Sequence, residues 1–191
     1  MTAVVGPWFH DPMSTSSLQG PGRMSIDTGA FKSGMRHLAA SVCLITTRHG
    51  VERGGLTATA VCSVSADPPQ LLVCVNREAS AHPLIVASRI FAVNVLAPCH
   101  RPIAERFAGM DGVEGDARFV DLGDWRTLAT GAPVLGGCPV TFDCKVVNTT
   151  VAGTHTIVIG EIVDVCLDAA HLPLLYAQGV FIHGEHLKAA S

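Results

Sequence analysis

The sequence predicts a mainly β domain, a barrel or sandwich carrying a few short helices. Three observations predict it. Short stretches rich in Val, Ile, Leu and Thr recur along the chain. Clusters of Gly, Pro, Asn and Asp punctuate them. Helical periodicities are few and brief. At 191 residues the chain reads as one domain, 27–191, behind a Gly-, Pro- and Ser-rich arm, 1–26, expected to be mobile. That arm lacks the basic start and apolar run of a signal peptide.

Asp27 or Thr28 is placed to cap a first helix. Phe31, Met35 and Leu38 follow at i, i+4 and i+7, one apolar face. Residues 41–47 read as a strand, and 49–55 as a turn. Residues 56–65 alternate as one strand, with Leu56, Ala58, Ala60, Cys62 and Val64 on one face. Thr57, Thr59, Val61, Ser63 and Ser65 take the other. Asp67-Pro68-Pro69 ends that strand, and 71–76 forms the next. Residues 79–87 read as a short helix with Ser80 at its start and Pro83 in its first turn. Then come a strand (90–96), a helix (101–108) with Ile103 and Phe107 inward, and an acidic loop region (109–137) that Trp125 anchors. Residues 140–150 and 154–165 pair around Val151-Ala152-Gly153. A short helix (172–178) and a strand (180–183) close the chain.

Composition narrows the function classes. Hydrophobic residues are 48% and charged residues 15%, against about 25% charged in an ordinary soluble domain. No apolar run reaches the roughly 18 residues of a membrane span. The apolar surplus is therefore expected in a subunit interface or under a flat cofactor. The net charge is −3, and five acids against Arg118 fall between Asp111 and Asp124. Nothing forms a basic nucleic-acid stripe or a polybasic membrane patch. The seven cysteines are scattered, with no C-x-x-C pair and no zinc spacing. They read as small buried hydrophobes in a reducing cytoplasm.

Several chemistries are absent. There is no G-x-G-x-x-G, no P-loop, no G-x-S-x-G and no H-E-x-x-H. His183-Gly184-Glu185-His186 reads as solvated tail rather than a metal site, and the neighbours Cys99 and His100 point apart. What remains is the hydroxyl stripe of Thr57, Thr59, Ser63 and Ser65. Such a stripe suits the polar edge of a heteroaromatic ring or a phosphate, and equally a solvent-facing edge strand. The helix start at Ser80-Ala81-His82 offers backbone N–H groups to an anion.

The order of motifs resembles the flavin reductase-like domain, the small reductase component of two-component flavin monooxygenases. The resemblance spans residues 31 to 181. It rests on Gly55-Leu56-Thr57-Ala58 through Ser63-Val64-Ser65-Ala66-Asp67-Pro68-Pro69, then Asn76 and Ser80. It continues through Phe91-Ala92-Val93-Asn94-Val95-Leu96, Phe107-Ala108-Gly109, Gly153-Thr154-His155 with Gly160, and Leu174-Leu175-Tyr176 to Gly179-Val180-Phe181. It implies a split β-barrel homodimer that binds FMN or FAD at its interface. NADH or NADPH would deliver hydride to the flavin, and diffusing reduced flavin would serve a monooxygenase. Related acceptors are a corrinoid, and a non-catalytic flavin- or haem-binding module is the other alternative. Carried over residue by residue, Thr57 and Ala58 meet the isoalloxazine edge. Ser63, Val64 and Ser65 line the flavin. Asn76 reaches the ribityl–ring region, and Ser80 with Ala81 the phosphate. Phe107 and Ala108 pack near the flavin tail, and His155 orients the nicotinamide. No metal ligand is implied. The chain departs from the family in Thr154, where an Asp precedes the histidine, and in Phe181, where a Tyr is usual.

Overall fold

The computed structural model describes residues 26–183. Of the expected arm, residues 1–25 lie outside the described residues, as do Gly184, Glu185 and His186 of the tail motif. In chain order come α1 (Thr28–Met35), β1 (Ala40–Ser41), β2 (Cys43–His49), β3 (Glu52–Ala58), β4 (Val61–Ala66) and β5 (Pro69–Asn76). Next are α2 (Ala81–Ser88), β6 (Ile90–Val95), α3 (Arg101–Phe107), β7 (Trp125–Thr127) and β8 (Pro133–Leu135). The hairpin β9 (Val140–Ala152) and β10 (His155–Leu167) follows, then β11 (Leu174–Ala177) and β12 (Val180–His183). The chain is mainly β with few, short helices.

Seven strands form one antiparallel sheet in the order β3-β2-β6-β9-β10-β5-β4. Its two edge strands, β3 and β4, are consecutive in sequence and joined only by Thr59 and Ala60. Three Cα steps of about 3.8 Å span at most about 11 Å. Six strand spacings of about 4.8 Å would hold the edges of a flat sheet about 29 Å apart. The sheet must therefore curl until its edges meet. No ladder among the described residues pairs β3 with β4 or β5, so the curled sheet does not close.

The expected single strand 56–65 is thus two strands at opposite edges. Its stripe of hydroxyls divides accordingly: Thr57 is buried on β3, while Ser63 is exposed on β4. The expected helix at 172–178 is also corrected. Leu174–Ala177 is a strand paired with β1 and β12. Gln178 and Gly179 both have positive φ, 53° and 81°, the two-residue hairpin turn suited to twisted strands. The turn region 49–55 mostly joins β3, because Arg53, Gly54 and Gly55 pair with β2.

The apolar pattern explains the layers. On β5, Leu71, Val73 and Val75 are 4%, 0% and 0% exposed, with Leu72, Cys74 and Asn76 on the other face. The inner face packs with Ile45, Leu56, Phe91, Val93, Val158 and α2's Ile85 into one core. A second core lies on the other side, where Leu44, Leu96, Ile103, Phe107, Phe119 and Leu174 meet. That is why the run from Cys43 to Thr47 is buried on both faces. Each large apolar side chain so buried stabilises the fold by about 1.5–3 kcal/mol. Gly160 on β10 makes room for this packing, since a Cβ there would lie 2.5 Å from Phe91 Cζ.

Asn94, fully buried on β6, ties the layers together. Its Nδ2 donates to the Leu44 carbonyl at 3.0 Å and Thr46 Oγ1 at 3.1 Å. Its Oδ1 accepts from Leu135 N–H at 2.9 Å and Thr141 Oγ1 at 3.3 Å. Thr46 Oγ1 in turn donates to the Pro133 carbonyl. These bonds pin β8 to the sheet, and β8 carries β7 beside it. Trp125 on β7 then stacks edge-on to Phe119 at 4.7 Å, and its indole N–H donates to Leu122. The expected anchoring by Trp125 is therefore present. On the expected apolar face of the first helix, in contrast, Phe31 and Met35 stay 45% and 42% exposed, and Leu38, past the end of α1, 63%.

Asn94→Ala would strand the Leu135 N–H in the core and remove the side-chain link between β6, β2 and β8. It is expected to lower unfolding stability by about 2–4 kcal/mol in urea titrations. A loss below about 0.5 kcal/mol, the range of a surface substitution, would contradict this role.

Candidate functional site

The seam of the curled sheet opens into a cleft of about 150 Å³. Leu56, Thr57, Cys74, Asn76, Ala79, Phe107, Ala108 and His155 line it. Three structural units bring them together: β3, the β5–β10 ladder with the turn after β5, and the end of α3 with Ala108, the residue that follows it.

The β3 wall depends on α3. Thr57 Oγ1 donates to the Ala104 carbonyl at 2.8 Å, a buried bond between strand and helix. Gly55 permits the close approach, since a Cβ there would fall 2.7 Å from Phe107 Cε1. Phe107 is held from behind by Phe119, ring centroids 4.9 Å apart. Arg53, 4.6 Å above the Phe119 ring, forms a two-point pair with Asp116 at 2.6 and 2.7 Å. The Arg53 guanidinium holds the Asp116 carboxyl below its ordinary range.

The opposite wall depends on register. Asn76 ends β5 directly across from His155, the first residue of β10. Asn76 Oδ1 accepts from Glu78 N–H at 3.0 Å and its carbonyl from Ala79 N–H at 3.1 Å, forming the turn that turns Ala79 to the cleft. Arg77 N–H bonds to the Thr154 carbonyl at 3.0 Å, closing the end of the ladder. Thr154 Oγ1 lies 2.9 Å from His155 Nδ1, a hydroxyl beside the ring nitrogen where the resemblance implies a carboxylate. Beside this wall, His82 Nε2 bonds to Thr156 Oγ1 at 2.9 Å and fixes α2 to β10.

Of the residues singled out in the sequence, Thr57, Asn76, Phe107, Ala108 and His155 meet in this cleft. The others do not. Ala58 is 1% exposed inside the core cluster. Ser63, Val64 and Ser65 lie on edge strand β4, where Val64 is 45% exposed and Ser65 Oγ accepts from Asp67 N–H. Ser80 is exposed at the start of α2 without a side-chain capping bond, and Ala81 is 0% exposed against Gly54. Sequence reasoning missed Leu56, Cys74 and Ala79. Cys74 was within reach, because it shares a strand face with Asn76 two residues on.

No lining side chain is an Asp, Glu, Lys or Arg. Burial pushes the Cys74 thiol up, which keeps it protonated and poorly nucleophilic. Among the described residues no cluster of His, Cys, Asp or Glu has metal-binding geometry. A cleft with one amide, one hydroxyl, one thiol, one imidazole and apolar walls is equipped to bind and orient a flat polar ring. It holds no acid–base pair or nucleophile of its own.

A profile of the flavin reductase like domain matches residues 35–184. The FMN reductase (NADH) RutF of Pantoea ananatis is 41% identical over 148 residues, 77% of this chain and 76% of that protein. The NADH:FAD oxidoreductase SgcE6 of Streptomyces globisporus superposes with a TM-score of 0.77 at 28% identity, covering 91% of this chain and 97% of the other. A second structure of SgcE6 holds NAD and FAD fragments. BorF, the flavin reductase component of a bacterial two-component tryptophan halogenase, superposes with a TM-score of 0.75 at 29% identity over 82% of this chain and 97% of its own. The chain belongs to the flavin reductase-like domain family.

Proposed function

We infer that this protein is an NAD(P)H-dependent flavin reductase, transferring hydride from a reduced nicotinamide to FMN or FAD. The observation that carries the reading is the cleft itself. Five residues from distant parts of the sequence, Thr57, Asn76, Phe107, Ala108 and His155, converge there, and all five were singled out on motif grounds. Their chemistry fits a flavin. Leu56, Ala79, Phe107 and Ala108 give flat, small apolar walls, while Thr57 and Asn76 supply uncharged hydrogen-bonding groups. A bound flavin supplies the hydride-accepting chemistry, so the chain needs to bind, orient and exclude water rather than move protons. In this reading Ser80 and Ala81 approach the phosphate, and Ala58, Ser63, Val64 and Ser65 contribute through backbone along the seam. His155 orients the nicotinamide, steadied by the Thr154 hydroxyl.

The working unit is a homodimer of split barrels. A cleft of about 150 Å³ is smaller than the roughly 300–1,000 Å³ of a typical ligand site, so a second copy would complete it. Exposed apolar residues supply the surface: Phe31 and Met35 on α1, Val147 and Val151 on β9, Val165 and Leu167 on β10. The product, reduced flavin, goes to a separate monooxygenase component, a reading supported by one structural neighbour being a homolog of a nitrilotriacetate monooxygenase component B and another, BorF, being the flavin reductase component of a two-component halogenase. No helix among the described residues is long and apolar enough to cross a membrane. All seven cysteines are unpaired, which suits the reducing cytoplasm. Residues 27–191 form the reductase domain and 1–26 the arm before it.

The purified protein is expected to bleach the visible absorbance of FMN or FAD on addition of NADH or NADPH. Failure to reduce either flavin with either donor would overturn the assignment. His155→Ala is expected to lower kcat/KM for the nicotinamide roughly 10- to 100-fold with flavin affinity little changed. Unaltered nicotinamide kinetics would remove His155 from the site. Sedimentation at micromolar concentration is expected to show two copies, and a stable monomer would contradict the completed-cleft reading.

A further inference from the structure

Two polar side chains of the cleft are already committed inside the protein, and the commitment fixes what each can offer a ligand. The inference rests on the flavin reading above. Thr57 spends its single hydroxyl proton on the Ala104 carbonyl, a buried bond of 2.8 Å. A hydroxyl carries one proton and two lone pairs. Toward the cleft, Thr57 is therefore an acceptor only. Asn76 is committed in the opposite sense. Its Oδ1 accepts from Glu78 N–H at 3.0 Å, which fixes which way the amide points, because a backbone N–H cannot bond to an amide NH₂. Its Nδ2 hydrogens face outward from that bond as donors.

An oxidised flavin ring has one N–H, at N3, flanked by two carbonyls. Every other polar atom of the ring, N1, N5, O2 and O4, accepts. An acceptor-only hydroxyl thus has a single partner on the oxidised ring. We propose that Thr57 is a specificity determinant, its Oγ1 accepting the N3 proton of the oxidised flavin while Asn76 Nδ2 donates to a ring acceptor. Thr57 is 4% exposed and Phe107 3%. Water is scarce at that wall, so a ring that lacks the N3 proton leaves the hydroxyl oxygen unmet. Thr57 and Asn76 together distinguish the imide edge of the flavin from a ring edge of other polarity. The same bond that shapes the β3 wall also sets its hydrogen-bonding sense.

The test compares FMN with its N3-methyl derivative by quenching of flavin fluorescence, using the full chain and the variants Thr57→Val and Thr57→Ser. The wild type is expected to bind FMN at least about tenfold more tightly than N3-methyl FMN. Thr57→Ser, which keeps the hydroxyl, retains the preference, and Thr57→Val loses it. Equal binding of the two flavins by the wild type overturns this assignment alone. A preference that survives in folded Thr57→Val also overturns it, since rejection would then be steric. If Thr57→Val does not fold, Thr57→Ala against Thr57→Ser, which differ by the hydroxyl alone, decides: the preference is kept in Thr57→Ser and lost in Thr57→Ala, and a preference kept in both overturns the assignment. Absence of FMN binding overturns both this assignment and the flavin reading beneath it.

Discussion

The bond from Thr57 Oγ1 to the Ala104 carbonyl is the contact on which the site depends. It joins an edge strand of the curled sheet to a helix of only seven residues. That carbonyl also accepts from Ala108 N–H at 3.0 Å within the helix turn, so Thr57 fills its second lone pair and docks the helix to the strand, while Gly55 leaves room for Phe107. With both, Phe107 and Ala108 arrive beside Leu56 and Thr57 as one wall. Neutral hydrogen bonds of this kind contribute about 1 kcal/mol net, but a buried hydroxyl left without a partner costs about 1–3 kcal/mol. The contact matters less for its strength than for what its absence would leave exposed.

The rest of the fold supports that wall from behind and sets the wall across from it. Asn94 pins β8 to the sheet, β8 carries β7, and Trp125 on β7 presses on Phe119, which presses on Phe107. Across the cleft, the register of β5 with β10 places Asn76 opposite His155. A slip of one residue in that ladder would put the two side chains on opposite faces of the sheet. The cleft thus joins two rigid pieces, a hydrogen-bonded ladder and a docked helix, at the seam where the sheet meets itself. A cleft at a sheet seam lined by no Asp, Glu, Lys or Arg accounts for part of the chain's low charge. The exposed valines of β9 and β10 account for more, in the dimer inferred above.

Much of this was legible from local pattern. The alternation of Leu71, Val73 and Val75, the hairpin of β9 and β10, and the apolar side of α3 carry their signals in neighbouring residues. Five cleft residues were identified because short motifs mark them. The break between β3 and β4 was not legible. Residues 56–65 alternate without interruption, and neither Thr59 nor Ala60 is a breaker residue. The division follows from the curl of the whole sheet, which no ten-residue window contains. The 172–178 segment misled for a different reason. Its short apolar run suits a helix or a strand, and its pairing with β1 from the far end of the chain decides. Val64 and Ala58 share a predicted face yet end on opposite sheet edges. Motif order therefore named more site residues than one chain's cleft gathers.

The central claim is that the β3–α3 wall and the β5–β10 wall together hold a flavin ring. The most direct measurement is a crystal structure of the protein grown with FMN. The account predicts the ring in the seam cleft, in contact with Thr57, Asn76 and Phe107, with His155 beside its open side and the cleft completed by a second copy. An ordered FMN bound elsewhere, with the seam cleft empty, would contradict it.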